Sequence, residues 1–195
     1  MFAQNPTEAR SANGGSRAGG RPRRWRSLRL PDAQVEFGVS LPLGGTMVLA
    51  VLVLWLLLTP WEPDEIGAAM LVATALFLAP VHECLHLLAW PRGASRKLAC
   101  RRMGWRISLR ARCAGVVSRR RFLWFLSFPF LVLSVLPVLA AAIAGAGWQC
   151  LIVLTLLNAL ASSGDMLAAL LVLAQVPRDA VVGEEGDEVV WGTAP

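Results

Sequence analysis

Two histidines and a glutamate stand in one short segment, and they are the side chains best suited to chemistry. His82, Glu83 and His86 form the pattern His-Glu-x-x-His, and the chain contains no other histidine. Residues four apart on a helix lie on the same face, so both imidazoles would point into one shared space. Two such imidazoles and a third ligand form a zinc site that leaves a position open for water. The glutamate would accept a proton from that water as it attacks a carbonyl group.

The segment lies inside an apolar run that extends from residue 66 to residue 90. An ionisable side chain in the hydrocarbon core costs roughly 3 kcal/mol even on the most lenient scale, so such residues are rare and need partners. A chance match to this pattern is common in polar helices but not in an apolar one, which favours a metal site. Cys84 falls about 200° around the helix from each histidine, so it is predicted to face away and to serve packing.

The composition predicts an all-α integral membrane protein. The 195 residues are 55% hydrophobic, and four apolar runs are about as long as a transmembrane helix requires. We predict a membrane domain of residues 38–176 with four transmembrane helices, at residues 41–59, 66–90, 123–145 and 150–176. The four cysteines contain no Cys-x-x-Cys pair, so no disulfide framework is implied.

The segments outside these spans are polar. Residues 1–37 are rich in Gly, Ser and Arg and residues 177–195 are acidic, so both are predicted to be disordered tails. Residues 92–121, between the second and third spans, carry ten Arg and one Lys. Short alternating stretches in this loop, such as residues 105–110, fit period two better than a helix, which predicts a small hairpin at the membrane surface.

The basic residues predict the orientation. Of the 19 Lys and Arg, seven lie in the N-terminal tail and eleven in the 92–121 loop, while the two other connections have none. Positive charge is retained in the cytoplasm, so we expect both termini and this loop to be cytoplasmic in a multi-pass protein of the plasma membrane. Because the arginines flank apolar runs, lipids are expected partners and nucleic acid is not. The attack on a carbonyl group that the motif suggests adds a membrane-protein or peptide substrate.

Besides Glu83, one acidic residue lies within the four spans, namely Asp165 in the fourth. Counted at 1.5 Å per residue from the inner span ends, the histidines lie roughly 6 to 12 Å deep and Asp165 roughly 16 Å deep on the same side. Asp165 is therefore a candidate third zinc ligand, and Gly164 would favour the local unwinding that brings it closer. The alternative is a carboxylate that is bonded to Ser162, Ser163 or the helix itself.

Asn158 precedes Asp165 by seven residues, so it lies on nearly the same face of the helix. Its amide is placed to bond a substrate carbonyl or the attacking water. The alternative, equally weighted, is an amide that joins two helices.

This pairing of His82-Glu83-x-x-His86 with a later asparagine and aspartate resembles the site-2 proteases. In its size and its Ser-Gly-Asp segment the chain is more similar to a bacterial family labelled putative zincin peptidases. The likeness covers roughly residues 66–176. It implies that zinc is bound by His82, His86 and Asp165, that Glu83 is the general base and that Asn158 assists it.

The resulting hypothesis is a zinc-dependent peptidase that hydrolyses peptide bonds at or within the membrane. A membrane metal-binding or transport protein would use the same cluster, with Glu83 carrying protons. A non-catalytic scaffold derived from a protease is the third possibility.

Overall fold

The computed structural model describes residues 25–29, 31–60, 67–91, 95–103, 106–113, 115–185 and 188–193. Most of these residues are helical. The helices are α1 (Ala33–Leu58), α2 (Ala68–Ala89), α3 (Arg119–Phe130), α4 (Leu136–Ala144), α5 (Gln149–Ala161) and α6 (Ser163–Gln175), and a π-helical segment (Leu131–Val135) joins α3 to α4. The strands are β1 (Arg26–Ser27), β2 (Arg96–Met103), β3 (Arg106–Cys113), β4 (Val116–Ser118), β5 (Ala180–Glu185) and β6 (Glu188–Thr193).

Three helical stretches are long and apolar enough to cross a membrane, at residues 34–58, 69–89 and 119–144. They correspond to the first three predicted spans, with earlier starts for the first and third. The third begins at Arg119 because Ser118 caps it, with the Ser118 hydroxyl accepting the backbone N–H of Arg121 at 3.3 Å.

The fourth predicted span is a bent pair of helices rather than one straight helix. α5 and α6 meet at Ser162 with a bend of 45°, and the pair together is long and apolar enough to count as one broken span. α1 packs closely against this bend through Gly44. A Cβ atom on Gly44 would lie 2.9 Å from Leu160 Cδ1 and 3.2 Å from Ser163 Cβ. The first turn of α6, which carries Asp165, begins directly after the bend.

Two buried clusters hold the helices together. One joins α1, α4 and α5 around Val51, Trp55, Val138, Ala141, Ile152 and Ala159. In it the Trp55 indole N–H donates to Thr155 Oγ1 at 2.9 Å. The other joins the end of α2 to α3, α6 and the strands, and its largest members are Trp90, Phe122 and Phe125. This second cluster adjoins the predicted metal site, since the Phe125 ring centroid lies 4.7 Å from that of His86.

The hairpin predicted in the basic loop is present. β2 and β3 are antiparallel, with Arg96 opposite Cys113 and Met103 opposite Arg106. The turn between them, residues 104–105, lies outside the described residues. The Arg96 guanidinium donates to the Leu87 carbonyl oxygen at 2.9 Å, so the hairpin is attached to the last turn of α2.

The prediction of an all-α fold with disordered tails holds only in part, because the described residues are mostly helical but also form a second sheet that includes parts of both tails. Its four strands are antiparallel in the order β1-β6-β5-β4, so it joins the N-terminal segment, the end of the basic loop and the C-terminal segment. The N-terminal segment is also bonded to α6, where the Gln175 side chain accepts from Arg29 N and donates to Arg29 O, both at 3.0 Å.

The predicted C-terminal tail forms β5 and β6 because its valines supply apolar side chains that can be buried, whereas its acidic residues do not. Val182, Val189 and Val190 are buried, and the first two belong to the same cluster as Phe122 and Phe125. β-branched side chains pack well on a half-buried sheet, and this packing offsets the entropic cost of ordering the chain. In the predicted N-terminal tail, residues 26–27 are a strand and residues 33–37 are helical, while residues 1–24 lie outside the described residues.

Candidate metal centre

The two histidines lie on one buried face of α2. Only 7% of His82 and 4% of His86 is exposed to solvent, and their ring centroids are 5.0 Å apart. The four-residue spacing produces this arrangement because α2 is helical throughout the motif. Cys84, between them in sequence, is exposed, as its angular position on the helix predicts.

Asp165 meets both histidines from the first turn of α6. Its Oδ2 lies 3.0 Å from His82 Nε2 and 3.3 Å from His86 Nε2. One donor atom from each of the three residues lies within 4.8 Å of the others. Zinc ligands at about 2.1 Å in tetrahedral geometry are roughly 3.4 Å apart, so the three side chains fit a zinc ion. Asp165 does not use Ser162 as a partner, and the Ser162 hydroxyl is buried without a partner among the described residues.

The other ring nitrogen of each histidine is bonded to a carbonyl oxygen. His82 Nδ1 lies 2.8 Å from Asn158 Oδ1 and His86 Nδ1 lies 3.0 Å from the Phe125 carbonyl oxygen. A carbonyl oxygen only accepts, so both Nδ1 atoms carry their proton and a neutral ring presents its lone pair at Nε2.

The electrostatics of this arrangement favour a cation. Two Nε2 lone pairs and a carboxylate oxygen converge at 3.0 to 3.3 Å, and they would repel one another with nothing between them. A proton on one Nε2 relieves a single contact, whereas a metal ion serves all three atoms at once. Histidine ligands in metal sites generally donate their other N–H in the way seen here.

Asn158 is completely buried on α5, and its amide is fully used. The Nδ2 group donates to the Pro129 carbonyl oxygen at 3.2 Å and to Ser134 Oγ at 2.9 Å, which turns Oδ1 toward His82. Asn158 therefore contacts a histidine rather than the space where a substrate carbonyl would lie. It also links three helical segments, which is the helix-joining role considered from the sequence.

Glu83 lies outside the three-residue cluster and is half-buried. Its Oε2 accepts the backbone N–H of Ala111 in β3 at 2.6 Å. The hairpin therefore fixes the position of this carboxylate beside the histidines.

Sequence reasoning missed the groups that support the ligands, namely the Phe125 and Pro129 carbonyl oxygens, the Ser134 hydroxyl and the Ala111 N–H. Three of the four are backbone groups, which leave no mark on the residue type. Ser134 was detectable as a polar residue in an apolar run, three and five residues from two prolines.

Residues 75–181 match the family described as putative zincin peptidase. The match spans more than half of the 195-residue chain and includes His82, Glu83, His86, Asn158 and Asp165. Zincins take their name from zinc bound by a His-Glu-x-x-His helix, and the α2 geometry agrees with it. No curated protein and no solved structure matches the chain. The helix with its two histidines, the carboxylate that meets them and the extent of the match lead to one conclusion: the chain belongs to the putative zincin peptidase family.

Proposed function

We propose that this protein is a zinc-dependent peptidase embedded in the membrane, which hydrolyses peptide bonds at or within the bilayer. The observation that carries the proposal is the convergence of His82 Nε2, His86 Nε2 and Asp165 Oδ2, with both Nδ1 atoms already bonded to carbonyl oxygens. Three protein ligands with an open fourth position are typical of catalytic zinc, whereas structural zinc takes four. Membership of the zincin peptidases supports the same reaction.

Each side chain has a distinct role in this proposal. His82, His86 and Asp165 would hold the zinc ion, which would supply a Lewis acid for the scissile carbonyl and the attacking water. Glu83 accepts the proton of the attacking water and returns it to the leaving amine. The Ala111 N–H holds one oxygen of this carboxylate, so the other oxygen carries the proton. Asn158 acts through His82 by keeping the ring oriented.

Membrane insertion is supported by the large apolar side chains that the helices expose. Leu57, Phe77 and Ile143 are each more than two-thirds exposed. Soluble monomers rarely expose large apolar patches, so a surface of this kind is expected to face the lipid of a membrane.

The position of the site along α2 supports a location on the cytoplasmic side of the membrane, because the site lies near the C-terminal end of this helix. His86 is three residues from the last residue of this helix. At that end the Arg96 and Arg121 guanidinium groups donate to the Leu87 and Ala89 carbonyl oxygens. Arginine-rich loops remain in the cytoplasm, so water enters from that side and both termini are cytoplasmic.

A substrate in extended conformation suits the hairpin. Backbone N–H groups of a strand alternate between its two edges, and the Ala111 N–H points to Glu83. The edge of β3 away from β2 therefore runs beside the general base. A substrate strand added to this edge would bring its peptide bonds to the site. The resemblance to the site-2 proteases supports a membrane protein or peptide as the substrate.

Metal analysis and proteolysis of the purified protein test the proposal. Wild type is expected to hold about one zinc ion per chain, and His86→Ala to lose it. Glu83→Gln is expected to keep zinc and to lose at least about 100-fold in cleavage of a fluorescence-quenched peptide library, because the base is gone and the ligands remain. Negligible zinc in wild type would refute the metal site. Zinc uptake into vesicles with no cleavage by wild type would identify a transporter instead.

A further inference from the structure

We infer that Pro129 is a positioning residue of the metal site: it frees the Phe125 carbonyl oxygen to hold His86, and its own carbonyl oxygen holds the Asn158 amide that bonds His82. The inference rests on the proposed metal site and adds a residue to it. Pro129 lies inside α3 and is fully buried. Its side chain has no hydrogen-bonding group, so it makes no hydrogen bond to Asp165 or the histidines. Its effect on the ligands is therefore transmitted through the backbone.

The first imidazole is held by the carbonyl group that Pro129 leaves unpaired. In an α-helix the carbonyl of residue 125 accepts the N–H of residue 129, and proline has no N–H. The pyrrolidine ring also clashes with the carbonyl four residues earlier and pushes it away from the helix axis. The Phe125 carbonyl is that group, and its oxygen lies 3.0 Å from His86 Nδ1. The missing helix bond is thus replaced by a bond to a metal ligand.

The second imidazole is held through the carbonyl of Pro129 itself. This oxygen lies 3.2 Å from Asn158 Nδ2, and Asn158 Oδ1 lies 2.8 Å from His82 Nδ1. The π-helical segment begins two residues after Pro129 and brings Ser134 inward. Its hydroxyl accepts from Asn158 Nδ2 at 2.9 Å and donates to the Thr155 carbonyl oxygen at 3.0 Å. Widened helical turns of this kind are frequent at functional sites.

Both bonds have the same consequence for the ligands. An imidazole whose Nδ1–H is held by a fixed acceptor cannot rotate or exchange its proton to Nε2, so its Nε2 lone pair stays directed at the metal position. The other prolines inside helices do not have this effect. Pro42, Pro80 and Pro137 also lack a backbone N–H, but the Nδ1 atoms of His82 and His86 are bonded to Asn158 and Phe125 instead.

Pro129→Ala is the direct test, with Pro137→Ala as its matched control in the same helical stretch. Zinc affinity is measured on the full chain in detergent by competition with a chromogenic chelator. Alanine restores the N–H at residue 129, which returns the Phe125 carbonyl to its helix and withdraws it from His86. We expect Pro129→Ala to weaken zinc binding about 10- to 100-fold, the effect of losing an outer partner of a ligand. Pro137→Ala is expected to leave it within about threefold.

Two further readouts distinguish positioning from general damage. The metal-free Pro129→Ala protein is expected to melt no lower than wild type, because alanine is a better helix former than proline. Since the chain has two histidines, selective ¹⁵N labelling yields only two imidazole spin systems. In the zinc-loaded protein both Nδ1 protons should be protected from solvent exchange in wild type and in Pro137→Ala, and one should lose protection in Pro129→Ala.

The outcomes separate this inference from the proposed function. If wild type binds no zinc, the metal site itself fails. If wild type binds zinc and Pro129→Ala binds it equally well with both Nδ1 protons protected, only this inference is overturned, as it is if Pro137→Ala weakens binding equally. Should Pro129→Ala fail to fold, Ser134→Ala decides, because it loosens Asn158 and is expected to weaken zinc binding several-fold. Unchanged affinity in that variant overturns the inference.

Discussion

Replacing Asn158 by alanine removes three buried hydrogen bonds from the support of the metal site. The amide bonds His82 Nδ1, the Pro129 carbonyl oxygen and Ser134 Oγ at 2.8, 3.2 and 2.9 Å. The residue is completely buried, so water cannot replace these partners without opening the helix contacts.

Two magnitudes follow from this geometry. Buried hydrogen bonds contribute about 1 kcal/mol each in soluble proteins and about 0.6 kcal/mol between membrane helices, so the loss of stability is about 2 to 3 kcal/mol. Zinc affinity is expected to fall about 10- to 100-fold, because the His82 ring loses the acceptor that orients it. The fall in zinc affinity is specific to the site, whereas the stability loss is common to any buried polar residue.

Thr155→Val is the control that separates the two effects. Thr155 lies on the same helix, is equally buried, and accepts the Trp55 indole N–H at 2.9 Å without bonding either histidine. This change is expected to cost about 1 to 3 kcal/mol of stability by leaving the indole N–H unpaired, with zinc affinity unchanged.

Thermal denaturation and chelator competition on the same detergent preparations measure both quantities. The reasoning is refuted if Asn158→Ala retains wild-type zinc affinity, or if Thr155→Val reduces it to the same extent as Asn158→Ala.

Three further changes give separate tests. Asp165→Asn is expected to lower zinc occupancy at least about tenfold, because a neutral amide replaces the one carboxylate ligand; unchanged occupancy by metal analysis would exclude Asp165 from the site. Ala111→Pro removes the N–H that holds Glu83 on the edge of β3 away from β2, so peptide cleavage should fall about tenfold or more while zinc content stays constant; equal cleavage would show that the bond to Glu83 is not needed. Gly44→Ala places a Cβ atom 2.9 Å from Leu160 Cδ1 and should destabilise the protein by about 1 to 3 kcal/mol, while Gly45→Ala, with open space around it, should be neutral or stabilising in the same melting assay.

The parts of the site that follow from helical periodicity could be predicted from the sequence. His82 and His86 share a face because of their spacing, and Asp165 was found because an acidic residue in an apolar run is conspicuous. Depth counting placed these residues on the same side, and the structure brings Asp165 Oδ2 within 3.3 Å of both rings. The alternating stretch that predicts the β2–β3 hairpin is equally local, because it depends only on period two.

The remaining features depend on contacts between distant segments. The acidic composition of residues 177–195 suggested disorder, but Val182 and Val189 are stabilised by a cluster that includes α3 and α6. The bend at Ser162 involves close packing against Gly44, more than 100 residues earlier. For Asn158 the sequence left open a bond to a substrate carbonyl or the attacking water and a contact between helices, because its sequence neighbours do not reveal Ser134 or the Pro129 carbonyl.

β5 and β6 supply none of the three candidate metal ligands, yet the proposed metal site depends on them. Val182 and Val189 share one buried cluster with Phe122 and Phe125, and the Phe125 backbone holds His86. The family match ends at residue 181, the second residue of β5. A chain that ended at residue 181 would retain the three candidate ligands and Glu83. However, α3 would lose the buried valines of β5 and β6 against which it packs. The smallest active unit is therefore expected to extend to the last strand.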